Sequence, residues 1–404
     1  MNAKPPTEMS RNELIALIAM LFSTIAFSVD SLLPAFPDIE NDLNIDGQAH
    51  LLITFFMAGL AVGTLFAGPI SDAIGRKLTM CIGAAIYIAA GGVAFVSHDF
   101  EVILAARLVQ GAAAAAPRVV SLAVVRDLYS GRHMAQIVSF AMVLFTLVPT
   151  LAPAMGAVLQ DFFGWRAILL AFIVFSTIST LWLWLRLPES LPRDSRRPFR
   201  LTTLWVATKE VLAHPVVRLS IAAQSVALSL IFCLLVQVQP IYAETFGRAD
   251  SFPYWFGAVA LISAASTSLA NAVLVMRVGM RRLVTWGMAG HVIFAALTYL
   301  VISTLPNLAF PAFLVWQFVI IWMTGITYGN LSAIALQPMG HIAGFTASVT
   351  GAISTMAAAT LASFVGSIFD GTPLPLLMCS CVIASIGLIF MWQMNRLDEL
   401  PSDI

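Results

Sequence analysis

Asp30, Arg107 and Arg118 are charged side chains set inside long apolar runs of this 404-residue chain. A charge at the centre of a bilayer costs about 3 kcal/mol, so such residues face a cavity or one another. Arg107 and Arg118 lie on one candidate helix, residues 101–127. Eleven positions at about 100° each return to within about 20° of one face, about 16 Å apart along the axis. The pair reads as a polar stripe along an internal pathway, the alternative being two arginines reaching for opposite surfaces. Asp30 is seven residues before Pro37, about 10 Å below one membrane edge, and Arg107 is six residues after Glu101, about 9 Å below the same edge. Opposite charges at one depth form an ion pair if the two spans pack together, and that pair is the expectation here. Desolvation favours the protonated carboxyl and a neighbouring guanidinium the ionised one, so Asp30 is suited to carry a proton. A static pair that only holds the bundle together is the competing reading. Arg118, about 25 Å from that edge and level with Met20, has no carboxylate within reach. It is expected to meet substrate or a polar partner on another span. Pro117, just before it, frees the carbonyl near residue 113.

These residues need spans to hold them. The composition is 59% hydrophobic and 10% charged, against about 25% charged in a soluble domain. Apolar runs of about 20 residues read as membrane helices. Twelve are expected: 14–36, 49–70, 78–96, 101–127, 135–160, 166–187, 215–243, 252–276, 282–303, 309–331, 343–367 and 373–395. The proline-rich basic stretch 188–213 separates 1–187 from 214–404, and its Leu204–Leu212 part is a candidate surface helix. With the N-terminus in the cytoplasm, nearly all lysines and arginines fall on that side, leaving Arg166 and Arg248 outside. Both termini are then expected to be cytoplasmic. Net charge is zero and no basic tail suggests nucleic acid. Cys81, Cys233, Cys379 and Cys381 sit in apolar runs without metal-ligand spacing, so neither a metal nor another cofactor is expected. A membrane enzyme would need a catalytic cluster, and no paired intramembrane carboxylates, HExxH or serine–histidine pattern is found; His291 and His341 stand alone.

Loop 2–3 reads GPISDAIGRK, with Gly68, Asp72, Gly75, Arg76 and Lys77 in the pattern G-x-x-x-D-x-x-G-R-K. VMRVGMRRL at 275–283 is a degraded repeat with Met276 in the aspartate position, as two parallel halves would leave. R-x-x-Q-G occurs at Arg107, Gln110 and Gly111, and span 5 carries Pro149, Pro153 and Gly156. Span 1 carries D-x-x-L-P at Asp30, Leu33 and Pro34, and span 4 ends in Arg126–Asp127.

Together these motifs resemble the major facilitator superfamily and, within it, the Bcr/CflA branch of twelve-span drug:proton antiporters. In the span-5 motif Ala152 and Ala157 replace usual glycines. The resemblance implies an all-α membrane fold of two six-helix bundles related by a pseudo-two-fold axis. It implies a monomer that exports small drug-like molecules against protons by alternating access. A metabolite exporter or symporter of the same fold is the alternative. It also implies a cytoplasmic gate in which Arg76 meets Asp127, with Arg126 beside it and Asp72 at the start of span 11 near Ala343. Candidate substrate contacts are Ser23, Phe27, Gln110 and Arg118 in the first half, and Gln237, Gln239, Tyr242, Tyr328 and Asn330 in the second. Hydrogen bonding between helices explains each amide equally well.

Overall fold

The structure, a computed structural model, describes residues 9–45, 47–129, 151–196 and 198–399, together with Ile137, Ala141 and Val148. Among the described residues, eleven helices are long and apolar enough to cross a membrane. Half of the fifth expected span, 135–160, falls outside them; its continuous described part belongs to the helix α6, Leu151–Phe163. Pro149 also lies outside the described residues.

The chain divides into two compact units, Met1–Leu201 and Thr202–Ile404. In the first, α1 (Arg11–Asp30) starts at Ser10, whose hydroxyl accepts the Glu13 N–H. The run expected at 14–36 is not one helix. Pro34 has no N–H to offer the Asp30 carbonyl, so α1 stops at Asp30. A single tight turn then leads into α2, Phe36–Leu43. The spans α3 (Leu51–Ile74), α4 (Arg76–Val96), α5 (Phe100–Leu128) and α7 (Arg166–Arg186) follow. The Asp99 carboxylate caps α5 by accepting from the N–H groups of Glu101 at 2.8 Å and Val102 at 3.4 Å. Helices α3 and α4 pack along α5, and α7 packs along α4 and α1.

Helix α8, Leu201–Ala213, opens the second unit and leads through His214 into its first span. That unit holds α9 (Pro215–Pro240), α10 (Phe252–Val278), α11 (Met280–Thr304), α12 (Ala309–Leu336), α13 (Ala343–Ser367) and α14 (Leu374–Glu399). Helix α9 is covered by α12, α13 and α14, and α11 lies against α12 and α14. The degraded repeat is visible in the backbone. Gly75 (φ +109°, ψ 154°) precedes α4, and Gly279 (φ +84°, ψ 155°) precedes α11 in almost the same conformation.

The two arginines that break the positive-inside pattern are both held. Arg166 pairs with Asp42, donates to the Ser97 carbonyl and lies over the Trp165 ring. Arg248 lies over the Phe310 ring, 4.4 Å from its centre.

Candidate coupling site and gate

The polar knot of the first unit forms where α1 ends. The Leu32 N–H turns to the Val29 carbonyl, so the Ser28 carbonyl is left without the bond that a continuing helix would supply. Arg107 Nη2 donates to it at 2.8 Å. A cation at a helix C-terminus is favoured by the helix dipole as well as by the hydrogen bond. Arg107 also donates through Nε to the Leu52 carbonyl at 3.3 Å and through Nη1 to Gln110 Oε1 at 3.0 Å. Gln110 in turn donates to the Tyr87 carbonyl at 3.4 Å, and the Tyr87 and Ser28 hydroxyls are hydrogen-bonded. The guanidinium lies over Phe56 and Phe172, 4.4 and 5.6 Å from the ring centres, and Arg107 is 0% exposed.

R-x-x-Q-G thus has a mechanical reason. A Cβ at Gly111 would stand 1.8 Å from the Phe56 carbonyl oxygen, and one at Gly59 1.9 Å from that of Leu108. Backbone contact between α3 and α5 therefore needs glycine on both sides. One turn earlier on each of these parallel helices, the same closeness brings Leu52 within reach of Arg107. Gly111→Ala should force the helices apart at a cost of about 1–3 kcal/mol. A fall in the thermal unfolding midpoint of the purified protein checks this; an unchanged midpoint would mean that the contact is not held.

The expected Asp30–Arg107 ion pair is not formed. Asp30 is 6% exposed and makes no hydrogen bond or ion pair among the described residues. The depths agree, but Ser28 faces Tyr87 on α4, and Asp30, two residues on, is rotated by about 200°. Gly156 on α6 meets this same helix end: a Cβ there would stand 2.0 Å from the Ser31 carbonyl oxygen. Pro153 lies on α6 with it.

Arg118 is exposed and has no hydrogen bond or ion pair among the described residues. The other candidate contacts are mostly turned inward, as the alternative of helix-to-helix bonding describes. Gln110 holds Arg107, Tyr242 donates to Gln317 Oε1 at 2.9 Å, Gln237 donates to the Val365 carbonyl, and Asn330 donates to Asn271 Oδ1 at 2.7 Å. Ser23 and Phe27 are buried, the latter against Phe172 and Phe175. Gln239 is buried and Tyr328 half-buried.

At the other end of the unit, buried Arg76 meets Asp72 at 2.6 Å and Asp127 at 3.0 Å, and donates to Ser71 Oγ at 2.6 Å. Ser71 in turn donates to the Gly68 carbonyl. Arg126 is exposed and takes no part in this cluster among the described residues; adjacent helical residues point about 100° apart, so turning Asp127 in turns Arg126 out. Glu189 is the member that the motifs did not mark. Its carboxylate accepts the backbone N–H groups of Arg76 at 2.8 Å and Lys77 at 3.3 Å, capping α4. A Cβ at Gly75 would stand 2.5 Å from Glu189 Oε2, a second reason for glycine beside its positive φ. Ser190, next in line, donates to Asp127 at 3.2 Å. The signal was a carboxylate three residues past the last residue of α7, following a helix-stopping proline, Pro188.

Many membrane-length helices in two compact units, with buried Arg107, Gln110 and Asn330 each hydrogen-bonded to a neighbouring helix, define a polytopic helical membrane protein. A family model described as Major Facilitator Superfamily matches residues 16–367, and the chain belongs to that family. It is therefore a transporter rather than an enzyme. A bicyclomycin resistance protein homolog of Haemophilus influenzae is 27% identical over 383 residues, covering 92% of this chain and 94% of that protein. The multidrug resistance protein MdtL of Salmonella typhi is 29% identical over 229 residues, 55% of this chain and 56% of that protein. The crystal structure of the human organic anion transporter MFSD10 (TETRAN) matches with a TM-score of 0.68. It covers 97% of this chain and 100% of that one at 17% identity, a likeness of fold.

Proposed function

We propose that this transporter exports small drug-like or amphipathic compounds across a bacterial inner membrane in exchange for protons, with Asp30 as the proton carrier. The observation that carries the coupling role is Asp30 itself: a buried carboxyl at a helix end, without an ion pair among the described residues. A neutral carboxyl tolerates that setting; an ionised one demands a cation or water. Arg107 is the nearby candidate, held for now on the Ser28 carbonyl two residues away. Loss of the proton from Asp30 creates a second, stronger attraction for that guanidinium. Moving it would uncap α1, loosen its contact with α5 and tie protonation to helix position. Relatives named for bicyclomycin and multidrug resistance support drugs as cargo. Arg118, exposed and unpaired among the described residues, is the side chain best placed to meet a polar group on that cargo. The Asp72–Arg76–Asp127 cluster, with Glu189, then serves as the cytoplasmic gate.

Expression in a pump-deficient bacterium should raise resistance to several chemically unrelated inhibitors, and a protonophore should abolish the gain. Resistance that survives collapse of the gradient would overturn proton coupling, and no gain for any inhibitor would overturn the cargo class.

A further inference from the structure

Helix α8, Leu201–Ala213, belongs to none of the candidate membrane spans, and among the described residues no other element packs extensively against it. On a helical wheel Leu204, Trp205, Val211 and Leu212 fall within an arc of about 120°. One edge of this arc is turned inward, with Val211 buried; the other is open, with Trp205 62% and Leu212 37% exposed. The Lys209 ammonium lies over the Trp205 ring, 5.3 Å from its centre, so a cation rims the exposed apolar edge. Exposed Arg193 and Arg200 precede the helix. Glu210 lies about 160° from the middle of the arc, away from that edge. Only His214, in an extended conformation, separates α8 from Pro215, the first residue of a membrane span. The helix therefore leaves directly from the membrane boundary, at the end where the chain's basic residues gather.

We infer that α8 lies in the headgroup layer of the leaflet where α9 begins, with an anionic phospholipid as its partner. Trp205 and Leu212 enter the upper acyl chains, while Arg200 and Lys209 sit at lipid phosphates. Apolar area and basic charge act together, and neither suffices alone for a helix of about 20 Å. The contact links the bilayer directly to the start of α9.

The test uses the full-length protein in vesicles whose lipids carry bromine on the upper acyl chains. The chain has nine tryptophans, so the emission of wild type minus that of Trp205→Phe isolates Trp205. In vesicles containing phosphatidylglycerol this difference emission should be quenched about twofold or more, and clearly less in phosphatidylcholine alone. Arg200→Glu with Lys209→Glu should bring the phosphatidylglycerol value down to the phosphatidylcholine value, while quenching of the remaining tryptophans, a check on insertion and folding, stays unchanged. Difference emission that bromine leaves untouched in both lipids would overturn membrane contact. Equal quenching in both would overturn the anionic partner.

Discussion

In proteoliposomes with an imposed proton gradient, Asp30→Asn should reduce drug transport to the level of empty vesicles while the protein stays folded. Asparagine matches the neutral carboxyl in shape but cannot release a proton. Asp30 makes no hydrogen bond or ion pair among the described residues, so little stability rests on its charge. The unfolding free energy should change by less than about 1 kcal/mol. The informative control is exchange of substrate against substrate with no gradient, which needs the alternating motion but no net proton movement. Asp30→Asn should retain that exchange. Full proton-driven transport by this variant would remove Asp30 from the coupling role. Loss of exchange together with transport would make it a structural residue instead.

The shared level of Asp30 and Arg107 was readable and the azimuth was not. A rise of about 1.5 Å per residue placed Asp30 and Arg107 at one depth correctly, yet the guanidinium took the Ser28 carbonyl, which lies on the other side of α1. The clue was present in Pro34: its missing N–H ends the helix, and an ended helix offers carbonyls to the nearest donor. D-x-x-L-P and R-x-x-Q-G are therefore two sides of one contact, which neither motif declares alone. Four of the substrate candidates are engaged for a related reason. Gln110, Gln237, Tyr242 and Asn330 are polar side chains in an apolar setting, and in this structure each has found a partner in its own unit. Arg76 meeting Asp127 was legible only through the family resemblance, since the loop pattern carries Arg76 and not its partner. Glu189 was not, because a carboxylate just past a span reads as linker until α4 is seen to begin beside it.

Two substitutions at Arg107 separate charge from geometry. Arg107→Ala leaves the Ser28 carbonyl and Gln110 Oε1 buried without their donor and opens a gap between Phe56 and Phe172. A loss of about 3 kcal/mol or more is expected, and the thermal midpoint should fall accordingly. Arg107→Lys keeps the positive charge at nearly the same place. Its ammonium is a compact, strongly hydrated point charge without the planar fork that meets three acceptors from three directions. If Arg107 acts by capping α1, lysine should recover only part of the lost stability, and proton-driven transport should remain well below wild type. If it acts only as a positive charge near Asp30, lysine should restore transport almost fully. A third result carries its own meaning: lysine that stabilises but does not transport would place the coupling in the movement of the guanidinium between the Ser28 carbonyl and the Asp30 carboxylate. That movement needs a donor that can leave one acceptor while its other arms stay on Leu52 and Gln110.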